Sequence, residues 1–297
     1  MQILPRASNA LNRIFARISN MMNMAPVDAA LREDIGRGDV TTEVFVPAGR
    51  PYRAVALAKE EGVLCGVEAA AYAFRRLDGR AVVRVLKKDG SLLKPGDRIM
   101  EVRGGRALLT AERTALNFMQ RLSGAATMAR RFVLLAKGTH AKIFDTRKTT
   151  PGLREMEKYA VLCGGACNHR IGLYDAVLIK DNHIKAAGWD FIRSRVPSLR
   201  ARKGLKFVEI EAASFQDVKE ATSCGPDIIL LDNMPVPLLR KSIAYIKSLP
   251  GRRPEIEISG GVNLKTVRRL ALLGPDRISV GQITHSAKAL DISLEVE

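Results

Sequence analysis

The chain has 297 residues, 46% of them hydrophobic and 27% charged, with a formal net charge of +17. That length holds one large domain or two ordinary ones with ample core, and the proportions are those of a soluble globular protein. No stretch approaches about 18 consecutive apolar residues, which argues against a membrane-spanning helix.

The four cysteines (Cys65, Cys163, Cys167 and Cys224) follow no zinc-binding spacing and suit a reducing, cytoplasmic setting. The 48 basic residues outnumber the 31 acidic ones, so the surface attracts anions. The densest basic run, Arg193 to Lys206, holds six cations and no acid. Aromatic residues are only 5% of the chain and do not interleave with such runs. No base-stacking platform or nucleic-acid motif is visible, and the excess reads as a solvated basic face with no specific nucleic-acid partner. Residues 1–24 carry Arg6, Arg13 and Arg17 without an acid, and their apolar runs are too short for a secretory signal. An organellar leader is one reading of them. We take them as a loose extension outside the fold.

From Tyr52 to Val102, short β-favouring runs alternate with the turns Asp89-Gly90 and Pro95-Gly96-Asp97, around one helical insert near Val67–Leu77. This predicts a small N-terminal α/β domain over residues 25–118. A long helix follows. Ala111, Ala115, Phe118 and Leu122 make its buried stripe, and Arg113, Asn117 and Arg121 make another.

From Ala141 six short apolar runs read as strands: 141–146, 176–181, 205–211, 227–233, 255–261 and 277–282. Helix-length segments such as Ser214–Cys224, Pro237–Leu249 and Asn263–Leu273 lie between them. Such alternation means parallel βα repeats, with strands buried on both sides. We assign residues 119–285 to this second domain and expect residues 286–297 to pack back onto the first.

The run ends distinguish a barrel from an open sheet. Asp145 with Arg147 and Lys148, then Lys180, Glu211, Asp232, Ser259-Gly260-Gly261 and Gly281 close the six runs in turn. An open sheet has its crevice at one switch point, whereas a closed one gathers all its strand ends. Glycine at the last two ends suits a phosphate cradled by backbone N–H groups. Six repeats instead of eight predict an incomplete α/β barrel, with the active site at the C-terminal ends of its strands. Its mouth would set Arg147, Lys148, His169, Arg170 and Lys180 against Glu211 and Asp232. Cations gathered in one cleft are costly without anionic ligands. Arginine forks suit carboxylate or phosphate, and the two acids suit magnesium (directly or through water), ribose hydroxyls or a developing positive charge. No nucleophile stands beside a base. The residues describe a site for two anionic substrates, at least one of them phosphorylated.

Several blocks together carry a resemblance. They are DVTTE (39–43), ERTALNFMQRLSG (112–124), DTRKTTPGLREMEKYAVLCGGACNHRIGLYDAVLIKDNHI (145–184), VEIEAAS (208–214), LLDNM (230–234), EISGG (257–261) and ISVGQITHSAKALDISL (278–294). From about residue 28 onward the chain resembles the quinolinate phosphoribosyltransferase family. The resemblance implies transfer of phosphoribose from phosphoribosyl pyrophosphate to quinolinate with decarboxylation, using Mg2+, to give nicotinate mononucleotide in NAD biosynthesis. By position it implies that Arg147, His169, Arg170 and Lys180 hold the quinolinate carboxylates, that Thr146 binds substrate and that Lys148 lies near the pyrophosphate. It further implies that Glu211 and Asp232 face ribose and metal, and that Ser259, Gly260, Gly261 and Gly281 bind the 5′-phosphate. Lys180, Glu211 and Asp232 are the expected catalytic residues. The resemblance also implies a homodimer, or a larger assembly, in which Arg113 reaches the neighbouring subunit's barrel. Gln282 stands where a small residue is expected. A paralogous phosphoribosyltransferase associated with molybdate transport is the nearest rival, and the KDNH block (180–183) argues against it.

Overall fold

The computed structural model describes residues 22–200 and 202–297; the expected loose extension lies, up to residue 21, outside them. The chain forms two contact units that interleave along the sequence. Residues up to Arg130, Thr149–Gly165 and Ser286–Glu297 belong to the first, and Arg131–Lys148 and Ala166–His285 to the second.

The first unit begins with helices α1 (Ala25–Ile35) and α2 (Val40–Phe45). The Asp39 carboxylate caps α2 by accepting the Thr42 N–H at 2.9 Å. Strands β1 (Tyr52–Ala58), β3 (Val82–Val85), β5 (Arg98–Gly104) and the C-terminal β12 (Ile292–Val296) form an antiparallel sheet in the order β12-β1-β5-β3. A small hairpin pairs β2 (Gly62–Val63) with β4 (Leu92–Leu93). Helix α3 (Val67–Leu77) is the insert that the sequence predicts. The Asp89 carboxylate accepts the Val67 N–H at 3.1 Å at its head. Burial pushes this carboxyl up to about 6, against hydrogen bonds from Val67, Gly66 and Tyr159. The Cys65 and Cys163 sulfurs come within 4.8 Å of it and remain free thiols. With Asp89 already serving helix N–H groups and a tyrosine, the grouping works as a cap.

Helix α4 (Ala107–Ala136) is the spine of this unit. Its predicted stripe, Ala111, Ala115, Phe118 and Leu122, joins Ala70, Ala73 and Phe74 of α3 in one core, while Arg113, Asn117 and Arg121 are exposed. Small and polar residues let neighbours lie close against it. Ser123 Oγ accepts the Cys65 N–H at 2.9 Å, and the Gln120 side chain donates to Ile292 O at 2.7 Å. At Gly124 a Cβ would stand 2.1 Å from Lys288 O.

The expected boundary after residue 118 therefore falls inside a helix. Met119, Leu122, Ala125 and Ala126 belong to the first core, and that unit runs to Arg130. Thr149–Gly165, assigned from the sequence to the barrel, also lies in the first unit, because α5 (Arg154–Cys163) buries Met156, Tyr159 and Ala160 there. Periodicity shows which face of a helix is buried but not what buries it. The segment 286–297 belongs to the first unit through β12, paired with β1 from Ala54↔Val296 to Ala58↔Ile292.

The second unit holds six parallel strands: β6 (Lys142–Phe144), β7 (Val177–Ile179), β8 (Val208–Ala212), β9 (Ile228–Asp232), β10 (Glu255–Ser259) and β11 (Arg277–Ser279). They pair in the order β6-β11-β10-β9-β8-β7. Helices α6 (Asp181–Ala187), α7 (Trp189–Arg200), α8 (Phe215–Cys224), α9 (Val236–Ser248), α10 (Val267–Ala271) and α11 (Gln282–His285) separate them or follow the last. Helix α8 shows why such connections form. Ser214 and Asp217 make a reciprocal capping box at its start, and Gly225 adopts φ 67° at its end.

Strands β6 and β7 are the edges of this sheet, yet it is curled. The His169 ring, on the segment beside β6, lies 2.9 Å from Glu209 on β8. Five strand intervals separate those positions, about 24 Å in a flat sheet. The segment from Ala166 enters the gap between the edges. Cys167 N–H donates to Ile143 O at 2.8 Å, and Asp145 N–H to Cys167 O at 3.0 Å. On the other side Asp175 accepts the Ile171 and Gly172 N–H groups and the Lys206 ammonium, each within 3.0 Å. These donors outweigh burial and hold the Asp175 carboxyl down to about 2.

Gly124→Ala is expected to destabilise the protein by about 3 kcal/mol, the upper end of the range for overpacking, because backbone stands in the way. A urea midpoint equal to that of the wild type would show that the segment around Lys288 yields without cost.

Candidate active site

The strands of the second unit deliver their C-terminal ends to one cleft of about 410 Å³. Its wall takes Thr146, Arg147 and Lys148 from the end of β6, His169 and Arg170 from the gap segment, and Leu178 and Lys180 from β7. It takes Glu211 from β8, Leu230 and Asp232 from β9, Glu257 and Ser259 from β10, and Ser279 from β11. Most of the expected site residues are thereby brought together. Gly260, Gly261 and Gly281 lie in the loops beyond the lining residues. Arg113 is an exposed residue of α4, in the first unit.

Local structure explains how these side chains are held. Thr146 Oγ1 accepts the Lys148 N–H at 3.0 Å, and Lys148 O accepts the Thr284 hydroxyl at 2.7 Å. A Cβ at Gly281 would stand 3.1 Å from Lys148 Cδ, so glycine there leaves room for the lysine chain. Gly260 adopts φ +86°, and a Cβ on it would meet Asn233 N at 2.8 Å. Only glycine satisfies both demands. Asn233 N–H donates to Ser259 O at 3.0 Å, which sets the Asp232 and Ser259 loops side by side. Asp145, read from the sequence among the chemically useful strand ends, is fully buried, and its carboxylate accepts the His169 N–H at 2.7 Å. It supports the site from below.

The cleft is electrostatically divided. Arg170 is buried, and its guanidinium is made harder to charge first by burial and then by neighbouring Arg147. The Glu211 carboxyl is pushed up by burial and by Asp232, against the pull of Lys180. Lys180 is exposed, and among the described residues no carboxylate lies within ion-pair distance of its ammonium. Its backbone N–H donates to His183 Nδ1 at 2.9 Å at the start of α6. A cation-rich wall thus faces two mutually repelling carboxylates. The Glu211–Asp232 pair fits a hard, oxygen-loving divalent cation that keeps part of its water shell.

Beneath the cleft lies a group that strand-end reasoning missed. His169, Glu209 and Glu257 are buried at 7%, 0% and 0% exposure. His169 Nε2 lies 2.9 Å from Glu209 Oε2 and 3.5 Å from Glu257 Oε1, and Nδ1 accepts the Arg170 N–H at 2.8 Å. Burial disfavours a charged imidazole, and the two carboxylates act against it and raise its proton affinity. The hydrogen bond at Nδ1 places the ring proton on Nε2, since a protonated Nδ1 would face the Arg170 N–H donor to donor. Burial and Glu257 push the Glu209 carboxyl up to about 7, against the pull of His169. The pattern was present in the sequence: Glu209 and Glu257 stand two residues before Glu211 and Ser259, on the same pleat face.

Lys180→Ala should leave the melting temperature of the ligand-free protein unchanged or raised, since it removes a like charge from the cleft. Quinolinate, the dicarboxylate that the resemblance assigns to Lys180, should then stabilise the variant less than the wild type. Equal stabilisation of both in a thermal-shift titration would place Lys180 outside the anion site.

Comparison with known proteins adds a second line of evidence. The N-terminal domain model of quinolinate phosphoribosyl transferase matches residues 39–123, and the C-terminal domain model matches residues 125–295. The chain is 40% identical over 265 residues to the probable nicotinate-nucleotide pyrophosphorylase (carboxylating) of Bacillus subtilis, covering 89% of this chain and 90% of the relative. It is 40% identical over 276 residues to the nicotinate-nucleotide pyrophosphorylase (carboxylating) of Mycobacterium leprae, covering 90% and 94%. Among solved structures, the nicotinate-nucleotide pyrophosphorylase from Francisella tularensis superposes with a TM-score of 0.83 at 34% identity, over 100% of both chains.

Proposed function

The chain belongs to the quinolinate phosphoribosyltransferase family, and we infer that it carries out that family's reaction. Phosphoribosyl pyrophosphate and quinolinate give nicotinate mononucleotide, pyrophosphate and CO2, a step of NAD biosynthesis. The observation that carries this reading is one cleft lined by Arg147, Lys148, Arg170 and Lys180 together with Glu211 and Asp232. Quinolinate brings two carboxylates, and its partner brings phosphates.

The proposed roles follow from charge. Arg147, Arg170 and Lys180 pair with the quinolinate carboxylates, while Thr146 and His169 shape the same end of the cleft. Lys148 faces the pyrophosphate. Ser259, Gly260, Gly261 and Gly281 receive the 5′-phosphate, where Gly260 and Gly261, both at positive φ, let backbone N–H groups approach it. The pyridine nitrogen attacks the anomeric carbon as the bond to pyrophosphate breaks, and positive charge builds on the ribose. Glu211 and Asp232 stabilise that charge without forming a bond. The same pair would hold Mg2+, which when bound neutralises the pyrophosphate oxygens. In the pyridinium so formed, the ring nitrogen draws in the electron pair left at the adjacent carbon as CO2 departs. That carbon then takes up one proton.

We also propose a homodimer with shared sites, in which the exposed Arg113 of one subunit reaches the neighbour's barrel. Its support is the family resemblance of the ERT block and the outward stripe of α4. All four cysteines are free, which agrees with action in a reducing compartment such as the cytoplasm. Among the described residues no helix is long and apolar enough to cross a membrane.

Incubation with quinolinate, phosphoribosyl pyrophosphate and Mg2+ should yield nicotinate mononucleotide, and its absence from folded protein would refute the reaction. Nicotinate, which lacks the carboxylate beside the ring nitrogen, should be used less efficiently by about 10⁴-fold or more, as a site built to pair a polar group rejects analogues without it. Comparable kcat/KM for both acids would remove the dicarboxylate assignment. Mixing inactive Arg113→Ala and Lys180→Ala chains should restore part of the activity, because a mixed dimer keeps one intact site. No recovery after demonstrated subunit exchange would rule out shared sites.

A further inference from the structure

The buried Glu209–Glu257 pair against His169 takes no part in the chemistry above, yet it is a costly thing to build. None of the four carboxylate oxygens has an aligned hydrogen-bond donor among the described residues; the approaches to His169 Nε2 are ion-pair contacts. Buried acids held this way stabilise a fold less than apolar residues of the same volume would. Their positions suggest what they serve. Glu209 is on β8 and Glu257 on β10, and His169 reaches them from the gap between the edge strands β6 and β7. The next residue is Arg170, whose N–H is bound to the same imidazole and whose guanidinium donates to Ala176 O at 3.3 Å, at the foot of β7. Arg147 repels that guanidinium, and Glu209 is among the carboxylates that offset the repulsion.

We propose that Glu257, together with Glu209, is a positioning residue for quinolinate: the two carboxylates hold the His169 ring across the barrel, and the ring holds Arg170 beside Arg147 against their mutual repulsion. The pocket for the dicarboxylate is thereby formed before the substrate arrives. This inference rests on the reaction proposed above. A misplaced cation at that end of the cleft impairs quinolinate binding and leaves the phosphoribosyl end unaffected.

Glu257→Gln keeps the side chain's shape and withdraws its charge. We expect the KM for quinolinate to rise about tenfold or more, as misplacement by a fraction of an ångström can do, and the KM for phosphoribosyl pyrophosphate to change by less than about twofold. The variant should melt no lower than the wild type, since the change relieves a buried carboxylate pair. Glu257→Asp, which restores the charge on a shorter arm, should recover part of the quinolinate KM. A lower melting temperature with reduced kcat and both KM values unchanged would mean a merely structural role and overturn the proposal. The nitrogen resonances of ¹⁵N-histidine-labelled wild-type protein test the placement independently of turnover. Four histidines are present, and His169 is assigned by its loss in His169→Gln. An unprotonated Nδ1 and a protonated Nε2 are expected; a proton on Nδ1 would overturn the arrangement even if the wild type converts no quinolinate. A stoichiometric transition metal in the purified protein that is lost in Glu257→Gln would also overturn it, because the three side chains would then be ligands.

Discussion

Like charges crowded at the mouth of one curled sheet are the constraint on which this protein is built. After burial, Arg147 raises the cost of charging Arg170, and Asp232 raises that of charging Glu211. Such groups separate unless their backbones are fixed. The strand ends provide part of that rigidity, and the weak point is the gap between β6 and β7, where no strand-to-strand ladder exists. Three buried or half-buried acids tie the chain down there. Asp145 takes the His169 N–H, Asp175 takes the Ile171 and Gly172 N–H groups, and Glu209 takes the far side of the His169 ring. Acids that never meet substrate are what allow cations to meet it.

Much of the fold was legible in the sequence because parallel strands buried on both faces read as apolar runs, and all six runs became strands. The helix over Val67–Leu77 and the buried stripe of α4 were legible for the same reason: a 3.6-residue period reports a one-sided environment. What the sequence did not show was partnership. The stripe of α5 reads like that of a barrel helix, yet Met156 and Tyr159 join the first unit's core. Gly124 reads as a weak point in a helix and is the place where Lys288 O comes closest.

The site was legible to the extent that chemistry sits at strand ends. Arg147, Lys148, Lys180, Glu211, Asp232 and Ser259 share one cleft because each lies at the C-terminal end of a buried strand or in the few residues after it. Leu178 and Leu230 were not separable from the core residues of their strands. Glu209 and Glu257 were harder still. A glutamate two positions inside a strand looks like ordinary alternation with an outward polar face, and only the curl of the sheet turns that face inward.

The order in which the chain closes its sheets has a consequence for how the protein is made. In the first unit β1 finds its outer partner in β12, and in the second β6 is flanked by β11. Both partners follow their strands at a long distance along the chain. On the ribosome, therefore, neither sheet can be completed until these strands have been made, and the cation-bearing end of β6 waits unpaired while some 130 residues follow. Such a chain gains nothing from folding its amino-terminal half early. It exposes open strand edges until those partners emerge, and the danger in its biogenesis is association between nascent chains in that interval.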